Sequence, residues 1–131
     1  MFKELSFKTD KHVQVIDLTP ELGNLELNGN GLLHVFTPHA TAALTLNEAE
    51  HGLMNDFEKW VADNFKGDWH HDQIDDNASA HLASGLIGSS ATIPVKDGRI
   101  IRGAWQNLLF FELDGPRNKR RVIIQFLTGV E

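Results

Sequence analysis

Apolar and polar residues alternate on both sides of the polar stretch "KTDKH", with Leu5 and Phe7 before it and Val13 and Val15 after it. A period of two is that of half-buried strands, so residues 2–17 predict an opening hairpin. Thr19 followed by Pro20 places a capping residue before a proline at the first helical position. This predicts a short helix running to about residue 27 and ended by the glycines of "NGNG". "LLHVF" and "AALTL" are short apolar runs interrupted by Pro38 and read as buried strands, with His34 inside the core.

From about residue 48 to 65 the period changes: Leu53, Met54, Phe57, Trp60 and Val61 recur at intervals of three and four, the stripe of an amphipathic helix packed on a sheet. Asn47 is its expected cap. A shorter helix is predicted over residues 77–86, with Asp76 or Asn77 as N-cap and Gly88 just past its end. "ATIPV" and "RIIRGAWQNLLFFELDG" flank "KDG", and Asp-Gly supplies the positive φ angles of a tight hairpin turn. "RRVIIQFLTG" gives a last strand, apolar enough to suit an interior or a contact between subunits. The pattern therefore predicts an α+β protein, a mainly antiparallel, sandwich-like sheet with two or three helices, folded as a single compact domain over residues 1–131.

Charge and composition narrow the function classes. Twelve basic against eighteen acidic residues give a net charge of −6, which disfavours sequence-independent binding to nucleic acid. The basic run "RNKRR" is too small to reverse that balance. With no cysteine, disulfides and thiolate metal sites are excluded, so a metal would need imidazole and oxygen ligands. No apolar span approaches the ~18 residues of a membrane helix, and the opening residues alternate where a signal peptide needs a continuous run. A cytoplasmic protein with no membrane partner is expected.

The densest chemistry lies in "HHDQIDDNASAH", residues 70–81, with three histidines and three aspartates. His71 falls in a loop and His81 in the predicted helix, so the turn between them can aim both rings at one point, while Asn77 and His81 share a helical face at i and i+4. His39, between two strands in "PHATAA", is a candidate third imidazole. Three neutral imidazoles with an open position form a known catalytic zinc arrangement, and nearby aspartates can fix the ring tautomers. The alternative is a solvated loop rich in turn-forming residues. His12, His51 and His70 read as surface groups. Glu48 has two readings, a helix-opening acid favoured by the dipole and a general base or metal-associated carboxylate near His39.

Hydroxyls and guanidinium groups gather in the last third: Ser89, Ser90, Arg99, Arg102, Trp105, Gln106 and Arg117. Such donors suit a phosphate or diphosphate, and in an acidic protein they point to a small phosphorylated molecule. The alternative makes Ser89 and Ser90 loop caps, Arg117 a surface residue after a Gly-Pro turn, and Trp105 core.

Taken together, "PHATAALTLNE", "DDNASAHLASGLIGSSATIPVKDGRIIRGAWQNLLFFELDGPR" and "RRVIIQFLTG" resemble the YjbQ-type family, described as secondary thiamine-phosphate synthase enzymes. The similarity spans essentially the whole chain. It implies a homotrimer with a divalent metal, zinc first and nickel or magnesium as alternatives, held by His39, His71 and His81. By the same resemblance Glu48, Asp76 and Asn77 line the pocket, and Ser90, Trp105, Gln106 and Arg117 complete it, in part across a subunit boundary. Glu48, Asp76 and Arg117 are its expected catalytic groups. The implied activity joins hydroxymethylpyrimidine diphosphate to thiazole phosphate, as a weak or secondary reaction. One departure is "GAWQ", where the family usually has Gly-Thr-Trp-Gln, so Ala104 lacks a hydroxyl. A metal-dependent hydrolase and a non-catalytic metal- or anion-binding trimeric module are the competing classes. An all-imidazole site favours zinc or nickel, whereas diphosphate chemistry ordinarily uses magnesium with carboxylates and water.

Overall fold

Four consecutive apolar residues, Leu108 to Phe111, are all buried, and a strand that is apolar at every position needs cover on both faces. The computed structural model, which describes residues 1–129, supplies that cover. Its elements are β1 (Phe2–Phe7), β2 (Gln14–Asp17), α1 (Thr19–Gly23), β3 (Gly31–Phe36), β4 (Ala42–Asn47), α2 (His51–Asn64), a 3₁₀ turn (His70–Gln73), α3 (Ala78–Ile87), β5 (Ser90–Lys96), β6 (Arg99–Ile100), β7 (Asn107–Glu112) and β8 (Arg120–Thr128). One antiparallel sheet has the order β1-β8-β3-β5-β6 and the other the order β2-β7-β4. The expected α+β architecture is present as three layers.

Between the sheets lies the larger core, in which Leu33, Val35, Ile93, Val122 and Ile124 meet Ala42, Leu44, Leu108 and Phe110. On the other face of the three-stranded sheet, Val15, Ala43, Leu109 and Phe111 pack against Val61 of α2 and Ala80 and Ala83 of α3. Small residues on α3 allow it to lie close to the sheet. Phe57 meets Phe111 edge to face with ring centroids 5.5 Å apart, a favourable arrangement for two aromatic quadrupoles.

Several local expectations need correction. Residues 2–17 do not form a hairpin: β1 pairs with β8 and β2 with β7, in different sheets. Between them Thr9 is buried, its hydroxyl donating to Glu112 at 2.7 Å, so the "KTDKH" segment crosses between layers. The first helix stops at Gly23, and Thr19 lies inside it, where its hydroxyl accepts the Leu108 N–H at 2.9 Å. The cap of α2 is Glu50, whose carboxylate accepts the Leu53 N–H, while Asn47 ends β4.

The Asp-Gly turn forms as expected, with φ of 51° at Asp97 and 75° at Gly98 and Lys96 facing Arg99. The long run after it divides, however, because β6 stays with β5 whereas β7 crosses to the other sheet. His34 is also not core. Leu33 and Val35 point inward, leaving His34 half-buried on the outer sheet face with its Nδ1 2.9 Å from the Thr92 hydroxyl. No helix among the described residues is long and apolar enough to cross a membrane.

Candidate active site

The start of α3 decides the site. Asn77 occupies the cap position, but its side chain does not cap. The Asp72 carboxylate does so, accepting the Ala78 N–H at 2.9 Å, and this frees the Asn77 amide for other partners. Ser79 and Trp69 both donate to the Phe65 carbonyl, at 2.7 and 2.9 Å, and tie the intervening loop to α3. The 3₁₀ turn then delivers His71 against His81, with ring centroids 4.7 Å apart and planes at 78°.

Asn77 links this pair to the segment after β7. Its Nδ2 donates to Asp114 Oδ2 at 3.0 Å, and its Oδ1 lies 2.9 Å from His71 Nε2. Arg117 donates to the same Asp114 oxygen through Nη2, at 2.9 Å, and to the Asp114 carbonyl through Nε, at 2.8 Å. Asp114 is in turn fixed by its N–H, which donates to Glu112 Oε2 at 3.1 Å. Glu112 is completely buried with Arg120, and the two side chains form a two-pronged ion pair that Thr9 and Thr41 complete. Burial alone would raise the Glu112 pKa, but hydrogen bonds from Arg120, Thr9 and the Asp114 N–H outweigh it and hold the carboxyl below the ordinary 4.5.

His39 shares a cavity with His81. Both border an open cavity of about 680 Å³, together with Thr37, Ser84, Gly88 and Ser89. The Arg121 backbone N–H donates to His39 Nε2 at 3.0 Å. Desolvation, followed by the positive charges of Arg120 and Arg121, keeps this ring below the ordinary imidazole pKa of 6.5. A neutral imidazole has one lone pair available, and here Arg121 takes it, so Nδ1 carries the proton. In this geometry His39 is a hydrogen-bond donor and could ligate a metal only by giving up that bond. Among the described residues no group of three His, Asp or Glu side chains is arranged to hold a metal ion.

The remaining expected residues lie apart from this centre. Glu48, Trp105 and Gln106 border a separate cavity of about 500 Å³. Trp105 is 73% exposed, which removes the core reading. Asp76 is exposed, takes a left-handed φ of 55°, and borders another cavity with Asp72 and His70. Ser90 is exposed at the start of β5, opposite Phe36, while Ser89 reaches the His39 cavity. Sequence reading missed Asp114 and Glu112. The available signals were an acid three residues before an arginine across a Gly-Pro turn, and a lone carboxylate ending an apolar strand.

Fold and site thus define a two-sheet α+β domain with a polar centre of paired imidazoles, an amide, a carboxylate and a guanidinium. Residues 3–129 match the family described as UPF0047 protein YjbQ-like, and the chain belongs to that family. A UPF0047 protein of Archaeoglobus fulgidus is 44% identical, over 95% of this chain and 99% of its own length. The YugU protein of Bacillus subtilis is 34% identical, over 91% and 94%. Among solved structures, a hypothetical protein of Aeropyrum pernix superposes with a TM-score of 0.90 at 40% identity, covering 98% of this chain and 99% of that one. A YbjQ-like protein of unknown function from Sulfolobus solfataricus gives 0.91 at 33% identity, covering 98% and 97%.

Proposed function

We propose that the cleft around His71 and His81 is the active site of an enzyme acting on a small phosphorylated substrate, assisted by a divalent metal. The observation that carries the reading is the contact between these two rings at the end of the Arg117, Asp114 and Asn77 hydrogen-bonded array, beside an open cavity. His71 and His81 would hold the metal, zinc before nickel or magnesium. When bound, it would neutralise charge on a phosphate or diphosphate leaving group.

The chain's own residues complete the chemistry. Arg117 uses Nε and Nη2 internally, and its half-exposed guanidinium retains Nη1 to meet an anionic oxygen. The His39 Nδ1–H is a neutral donor that borders the cavity. Formation of thiamine phosphate from hydroxymethylpyrimidine diphosphate and thiazole phosphate is the first reaction to try, as a secondary activity. The assembly in this reading is a homotrimer. Its support is the outer face of the five-stranded sheet, where Phe2, Leu32, Phe36 and Leu127 stay exposed in one chain, and the exposed Trp105, which would serve a neighbouring subunit's cleft together with Glu48 and Gln106.

Elemental mass spectrometry of the wild type and of His71→Ala and His81→Ala tests this. Near-stoichiometric zinc or nickel, lost in both variants and accompanied by turnover of the phosphorylated pair, is expected. Absence of metal uptake and of turnover would sink the proposal, whereas tight ligand binding without product would favour the non-catalytic trimeric module. Phosphate release from monoesters by the metal-loaded protein would point to a hydrolase.

A further inference from the structure

We infer that Asp114 is a positioning residue for His71, acting through Asn77 to hold the imidazole in its Nε2–H tautomer with the Nδ1 lone pair available. A carboxylate is an acceptor only, so the Asn77 atom 3.0 Å from Asp114 Oδ2 is its NH2 group, and the amide cannot be turned over without setting oxygen against oxygen. Asn77 therefore presents Oδ1 to His71 Nε2 at 2.9 Å, and that ring nitrogen carries the proton. The Asp75 carboxylate, 3.9 Å from the same nitrogen, favours the same assignment.

Arg117 keeps Asp114 in place, because its two bonds to the carboxylate and the carbonyl of one residue fix both the turn and the side chain. An imidazole whose far nitrogen donates to a fixed oxygen is held in orientation as well as in tautomer. The inference deepens the proposed function, in which His71 is a site imidazole, and assigns Asp114 a role that the sequence reading did not contain. His39 has the opposite tautomer, set by the Arg121 N–H, so these two imidazoles offer different groups: a lone pair from His71 and a proton from His39.

Nitrogen-15 and proton NMR of the histidine rings tests the relay without metal or substrate, so its failure and the failure of the functional proposal are distinguishable. Wild type is expected to show His71 as a single Nε2–H tautomer with a slowly exchanging ring proton. In Asp114→Ala the Asn77 amide is free to turn, so both tautomers should appear and that proton should exchange at least tenfold faster. Asp114→Asn should restore the wild-type signals, since an amide oxygen can take the acceptor position. Unchanged tautomer and exchange in a folded Asp114→Ala protein would overturn the inference, as would an Nδ1–H wild type. If Asp114→Ala does not fold, Arg117→Ala removes the clamp alone: faster exchange of the same proton is expected, and an unchanged rate overturns it.

Discussion

Replacing Glu112 by glutamine perturbs the buried Glu112–Arg120 pair, on which both the packing and the Asp114 turn depend. Oε1 accepts from Thr9 and from Arg120 Nε, and Oε2 accepts from Arg120 Nη2 and the Asp114 N–H. A glutamine has one acceptor oxygen, so whichever way it turns, two of these donors meet an NH2 group and Arg120, 3% exposed, is left without a counter-charge. Lost hydrogen bonds to charged groups cost about 1.5–3 kcal/mol each, and breaking a buried ion pair by removing one partner costs about 3–5 kcal/mol. Against a total stability of about 5–15 kcal/mol, roughly 4 kcal/mol is a large fraction. Urea denaturation followed by circular dichroism at pH 7 should show a lower midpoint at unchanged slope.

The pH dependence follows from the lowered carboxyl. Because the folded pKa lies below 4.5, Glu112 contributes stability above 4.5 that is lost as pH falls from there through the folded value, and the wild-type advantage over Glu112→Gln should shrink over that window. A loss under about 1 kcal/mol at pH 7 would refute the reasoning, since it would mean the donors find water or other acceptors. Replacing both partners, Glu112→Leu with Arg120→Met, should recover much of the loss, because no buried charge then remains unpaired.

Three further outcomes are expected. His39 is held neutral, so its contribution is present above pH 6.5 and lost as pH falls through its lowered pKa; thermal melts from pH 7.5 to 5 should decline more steeply for wild type than for His39→Phe, and parallel curves would contradict this. Gly31→Ala would place a Cβ 2.0 Å from the Leu127 carbonyl oxygen, which cannot yield without separating β3 from β8; the stability measured by urea denaturation should fall by about 1–3 kcal/mol. Trp105→Ala should change stability by no more than about 0.5 kcal/mol because the ring is exposed, while removing most turnover if it serves a neighbouring cleft. A large stability loss with activity retained would reverse that assignment.

Legibility of the molecule followed the range of the interactions. The extended runs, Met54, Phe57 and Val61 of the α2 stripe and the Asp97-Gly98 turn are local, and, whereas Trp60 of the same stripe stays exposed, each of them appears where the residues predict it. The partner of β1 does not, because Phe2 pairs with Gln125, more than a hundred positions away, and no local pattern distinguishes that edge from a neighbouring hairpin. His34 was misplaced for a related reason: residues 32–36 are apolar on both faces, so the alternation has no visible phase. In the candidate site, the approach of His71 to His81 was legible from loop and helix spacing. Asp114 was not, since its partner Asn77 lies on another element.

The sequence alone determined the class of the fold, the helical and extended periods, the exclusion of thiolate chemistry and the concentration of imidazole near α3. Tertiary structure decided which strands share a sheet, which faces are buried, and which nitrogen of His39 and of His71 carries its proton. Those outcomes depend on single donor and acceptor atoms brought to within about 3 Å from distant parts of the chain, a precision that periodicity cannot encode.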